Sequence, residues 1–113
     1  MSDLIVHKLY VPAINSTNAG VGFISQPVDI KGFSLYCVQM SWSSLSVVSP
    51  LITVSGSNSL DEPFAAIDTF VPTGSNGSRL LNVEKAGYNY VQVSYTVTSG
   101  SGNLKVTING KVL

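Results

Sequence analysis

Residues 88–109 read YNYVQVSYTVTSGSGNLKVTIN, and this stretch decides the fold class. On an extended chain Val91, Val93, Tyr95 and Val97 share one face, while Tyr88, Tyr90, Gln92, Ser94 and Thr96 share the other. After Ser99–Gly102 the alternation resumes. Leu104, Val106 and Ile108 point one way, and Asn103, Lys105, Thr107 and Asn109 point the other. A period of two is the signature of a strand with one buried face. Two such runs joined by a short glycine-rich link predict a hairpin. One face is expected in the core. The other, polar and aromatic, is expected to be wet or to meet a partner.

Working outward, the rest of the chain reads the same way. Phe33–Trp42 is the most apolar segment, with Phe33, Leu35 and Cys37 on one face and Tyr36, Val38, Met40 and Trp42 on the other. Two apolar faces predict a central strand covered on both sides. Further strands are expected at Pro50–Ser57, Leu4–Tyr10, Val21–Ser25, Phe64–Phe70 and Arg79–Val83. Pro63 and Pro72 bracket the Phe64 strand and place it at an edge; a single helical turn opened by Asp61 is the alternative. Ser43–Ser49, Gly56–Glu62 and Thr73–Ser78 read as loops. Val11–Gly20 is polar and turn-rich, a long loop or a linker. The expected organisation is an N-terminal arm and connector over 1–20 and a β-sandwich over 21–113. The fold class is all-β: an antiparallel β-sandwich with a jelly-roll-like pattern of about eight short strands.

Composition narrows the function. Of 113 residues, 44% are hydrophobic and only 11% charged, and six Lys+Arg balance six Asp+Glu. A neutral chain lacks the excess of Lys and Arg with which proteins bind nucleic acid or anionic membranes, so neither is expected as a partner. Near-zero net charge instead favours association. The N-terminal residues show no basic segment followed by a long apolar core, and no run reaches 18 apolar residues. Folding in a reducing cytoplasm is expected.

No catalytic constellation assembles. One cysteine, Cys37, and one histidine, His7, exclude an intramolecular disulfide and a Cys/His zinc site within the chain. Cys37 lies in the most apolar strand, where burial raises the thiol pKa and leaves it inert. The Asp61-Glu62 pair reads as a solvated turn, and no calcium-loop spacing is present. The glycines of S-G-S-G-N lie between strands, without the following helix and lysine of a phosphate loop. The chain is expected to need no cofactor and to catalyse no reaction.

The aromatic residues carry the remaining signal. Tyr36, Trp42, Tyr88 and Tyr90 suit three roles: core packing, subunit contact, or stacking on a sugar ring. Trp42 and Tyr36 are the candidates for glycan stacking.

The segments FSLYCVQMSW, LITVSGSN and AGYNYVQVSYTVTSGSGNLKVTINGK resemble small structural proteins of tailed bacteriophages, over roughly the C-terminal two-thirds of the chain. The resemblance implies a single β-sandwich in the virion, as head decoration, cement or minor structural subunit, with no catalytic residue. It implies assembly in the host cytoplasm and docking on the major capsid protein or another virion protein. Physical reasoning adds self-association, with a trimer as the expected homo-oligomer. A short N-terminal strand followed by a turn-rich connector suits an arm that adds to a neighbour's sheet. The expected interface residues are Leu4, Val6 and Tyr10 of the arm and Tyr88, Tyr90 and Gln92 of the hairpin's second face. The alternative function is a carbohydrate-binding module for host recognition, with a glycan as ligand.

Overall fold

A computed structural model describes residues 8–33, 35–84 and 87–111. It contains nine strands in two antiparallel sheets: β1 (Lys8–Ser16), β2 (Phe23–Ile24), β3 (Val28–Asp29), β4 (Leu35–Val48), β5 (Leu51–Ser57), β6 (Ala65–Phe70), β7 (Gly77–Glu84), β8 (Tyr90–Thr96) and β9 (Ser99–Lys111). One sheet has the order β1-β9-β4-β7. The other has the order β2-β8-β5-β6, with β3 also pairing β8. Taken as one strand interrupted at Ser25–Pro27, β2 and β3 give eight strands whose order is that of a two-Greek-key jelly roll.

The alternating faces meet as expected. Tyr36, Val38, Met40 and Trp42 of β4, Ile52 and Val54 of β5, Val91, Val93 and Tyr95 of β8, and Leu104, Val106 and Ile108 of β9 are all buried between the sheets. At about 25 cal/mol per Å² of apolar surface removed from water, side chains of this size contribute about 1.5–3 kcal/mol each.

The pairing departs from the sequence reading in its most conspicuous stretch. β8 and β9 do not form a hairpin. β8 pairs β5 in one sheet, and β9 lies between β1 and β4 in the other. The chain crosses the core at Val97 and Thr98. A strand facing another across a core buries the same alternate residues as a strand beside it, so periodicity cannot separate the two arrangements. Ser99–Gly102, expected as a turn, is the first third of β9, paired with Val48, Val47 and Ser46 of β4. Gly102 (φ 131°) shows why glycine is required there. A Cβ at this position would lie 2.8 Å from both the Leu45 Cα and the Ser44 carbonyl oxygen.

Other segments also extend further than expected. Ser43–Ser49 is largely strand, because β4 continues to Val48 through a register shift between Ser43 and Ser46, with Ser44 at φ 52°. Val11–Ser16, read as loop or linker, is strand in β1, paired with β9 from Lys8 to Ser16. Its register breaks between Pro12 and Ile14, where proline supplies no backbone N–H. β4 is central but covered on one side only. Val38, Met40 and Trp42 are buried, whereas Gln39 is exposed and Leu35, Cys37 and Ser41 are half-buried. β6 is an edge strand, as its flanking prolines predicted, and Asp61 lies in a turn rather than a helix.

Candidate functional site

The two open sides of the sandwich are built differently. On one side β6 and β7, the edge strands of the two sheets, are joined by Arg79 and Asp68 at 3.3 Å. The guanidinium lies 4.6 Å from the centre of the Phe70 ring, and Phe70 packs 5.5 Å from Trp42. Charged side chains turned inward on edge strands also guard against pairing with another sheet. This side is closed.

On the other side, between β1 and the interrupted β2–β3 strand, the sandwich gapes. A cleft of about 450 Å³ runs there, lined by Val11, Pro12 and Ala13 on β1 and by residues 23–29 on the facing edge. Phe23 is 46% and Ile24 65% exposed. Ser25 organises the lip: its hydroxyl accepts the Val93 N–H at 2.9 Å, its own N–H donates to the Val93 carbonyl at 2.8 Å, and its carbonyl accepts from Gln92 Nε2 at 3.0 Å. These bonds hold the strand to β8 across the break before Pro27. The cleft was not anticipated. Its only sequence signal is that Phe23 and Ile24 are adjacent and both apolar, so one of them had to face outward.

The residues singled out from the sequence fall in several places. Leu4 and Val6, and His7 with them, lie outside the described residues. Tyr10 is in β1, in register with Asn109. Tyr88 precedes β8 and escapes its alternation. It turns toward the core, its hydroxyl sharing a hydrogen bond with Tyr36 and its ring edge-on to Tyr36 at 6.3 Å. Gln92 is occupied by Ser25. Tyr90 and Gln92 share the outer face of β8, and Tyr90 lies under Lys31: the ammonium sits 5.0 Å from the ring centre and donates to the Tyr90 hydroxyl at 3.1 Å. That bond, together with the Asp29 carboxylate, holds the Lys31 pKa above its ordinary value. Tyr88 therefore does not share the outer face with Tyr90 and Gln92.

The glycan-stacking candidates are corrected outright. Tyr36 is 1% and Trp42 7% exposed, and the Trp42 indole donates to the Thr73 carbonyl at 3.3 Å. A ring must present a free face to stack on a sugar, and neither does. The outer face of the β4–β9 sheet carries a shallow groove of about 310 Å³, with Asn15, Ser41, Ser43, Asn103 and Lys105 along it and Trp42 and Leu104 contributing to its lining.

Cys37 is half-buried rather than enclosed, and burial pushes its thiol pKa up against the lowering charge of Lys111. Among the described residues, no group of three His, Cys, Asp or Glu side chains is placed to hold a metal ion. Among the described residues, no helix is long and apolar enough to cross a membrane.

No family model matches the chain. No curated protein matches it either. Among solved structures, the SPBc2 prophage-derived protein YomS is similar with a TM-score of 0.63 and 16% identity, over 98% of this chain and 98% of that one. An enzymatically active domain of the bacteriophage CBA120 tailspike protein 4 is similar with a TM-score of 0.54 and 16% identity, over 98% of this chain but 16% of that one. A carbohydrate-binding module of Cellvibrio mixtus lichenase 5A, in complex with cellotriose, gives a TM-score of 0.50 and 13% identity, over 93% of this chain and 98% of that one. At these identities the likeness is one of fold.

Proposed function

We propose that the chain is a non-catalytic structural subunit of a bacteriophage particle, which self-associates and docks on the virion as a capsid decoration or minor capsid subunit. The observation that carries this reading is the likeness in fold, over 98% of each chain, to a prophage-derived protein. Physical chemistry supports it. The net charge is zero, so copies do not repel one another. Among the described residues, one side of the sandwich is left open with apolar side chains at its lip, where a solitary soluble domain would be expected to close it.

The carbohydrate-binding alternative is weaker, since Trp42 and Tyr36 are withdrawn into the core. The reading of the chain as non-enzymatic rests on its scattered chemistry. Asp29 is engaged with Lys31 and Asp68 with Arg79, Asp61 stands in an exposed turn, and Cys37 is held in its thiol form.

The test is mass spectrometry of purified particles from the source phage, followed by binding of the recombinant chain to particles that lack it. The expected result is a fixed copy number in the particle and saturable rebinding. Absence from purified particles would remove the reading.

A further inference from the structure

The open cleft has a length, a chemistry and a neighbour, and together they point to its occupant. We propose that it receives Leu4–Val6 of a second copy of this chain, an inference that rests on the structural-subunit reading above. The first support is length. The lip from Phe23 to Asp29 follows β8 nearly straight, since Phe23 pairs Tyr95 and Val28 pairs Val91. Six extended steps span roughly 20 Å. Leu4–Val6 would span about 10 Å when extended and so fits within that lip.

The second support is chemistry. Both walls are mainly apolar, and the one charged residue lining the cleft, Asp29, is already paired with Lys31 at 3.6 Å. Leu4-Ile5-Val6 is the uncharged β-branched and apolar run that such walls fit, and it immediately precedes the strand that forms one wall. Among the described residues the outer edge of β2 is unpaired, leaving Phe23 and Ile24 a free ladder side for an added strand.

The third support concerns which copy supplies the segment. To fill its own cleft the chain would have to double back beside Val11, although β1 is already paired at Lys8. Such a reversal needs turn residues. No glycine, asparagine or proline occurs between Leu4 and Val11. A second copy needs no such reversal.

The test is a mixing experiment read by sedimentation velocity. The full chain is compared with an arm variant (Leu4→Asp with Val6→Asp) and a cleft variant (Phe23→Asp). Ile24→Asp is a second cleft variant, held to the same criterion if Phe23→Asp alters the urea midpoint. The expected result is an oligomeric wild type and two variants each weakened at least tenfold in self-association. Mixing the variants should then give a one-to-one pair, because one intact arm meets one intact cleft. An arm variant that assembles like the wild type overturns the proposal and spares the structural-subunit reading. A mixture that stays monomeric, or a monomeric wild type, also overturns it. A chain absent from phage particles removes the functional reading while leaving the assembly result intact.

Discussion

Replacing Gly102 by alanine separates a strand from a turn. Gly102 has φ 131°, and the new methyl group would sit 2.8 Å from backbone atoms of Ser44 and Leu45. A non-glycine residue held in such a conformation costs about 1–3 kcal/mol. Forcing two backbones apart in a packed region adds about 1–3 kcal/mol. The backbone also has a second duty, because the Gly102 carbonyl accepts the Ala19 N–H at 3.0 Å, and the Ala19 carbonyl accepts the buried Tyr95 hydroxyl at 2.6 Å. The expected loss is therefore about 2–6 kcal/mol, out of roughly 5–15 for a domain. At about 4 °C per kcal/mol the melting temperature should fall by roughly 8–24 °C. Gly32 is the control. Its φ is 84° but a Cβ there meets nothing within 4 Å, so Gly32→Ala should cost only the strain, about 1–2 kcal/mol. Urea unfolding followed by the fluorescence of Trp42, the single and buried tryptophan, measures both. If Gly102→Ala costs no more than Gly32→Ala, the close approach of β9 to β4 is refuted.

Alkaline titration should unfold the protein through Tyr36. Burial first, and the Tyr88 hydrogen bond second, raise its folded pKa above the ordinary value of 10.0. A raised folded pKa means the stabilisation is complete below the unfolded pKa and is lost as pH rises beyond it, so stability should fall above about pH 10. Tyr36→Phe should flatten that fall while costing about 1 kcal/mol at neutral pH, as read by urea midpoints across pH. Asp68→Ala should cost at most about 1 kcal/mol in the same assay, because the ion pair with Arg79 is partly exposed. Cys37 should react with a disulfide reagent at pH 7.5 at least tenfold more slowly in the folded than in the urea-unfolded chain, its raised pKa and half-burial acting together. Equal rates would contradict its placement.

Periodicity told which side chains go inward and little about which strands touch. Tyr36, Val38, Ile52, Val93 and Ile108 all lie where alternation placed them. The partner of β8 was not readable, because Val91 and Val93 bury equally well beside β9 or across from it. Glycine and serine misled in the same manner at Ser43–Ser49 and Ser99–Gly102. There they mark an irregular but paired stretch where two backbones draw close, and composition alone resembles a loop. The candidate site was the least legible part. A cleft between two sheet edges depends on which strands become edges, and that depends on the pairing. Tyr88 and Gln92 looked free because their partners, Tyr36 and Ser25, lie 52 and 67 residues away in sequence.

β9 is the last of the nine strands to leave the ribosome, yet it belongs between β1 and β4. Until Lys111 has cleared the exit tunnel, the β1–β9–β4–β7 sheet lacks its middle member, and β1 has nothing to pair with. The nascent polypeptide must therefore wait, with its earliest-made strand unclaimed, and fold only after synthesis has passed this point. Maturation should be slow, as expected where most pairings join distant parts of a sequence, and sensitive to any truncation that removes the final strand.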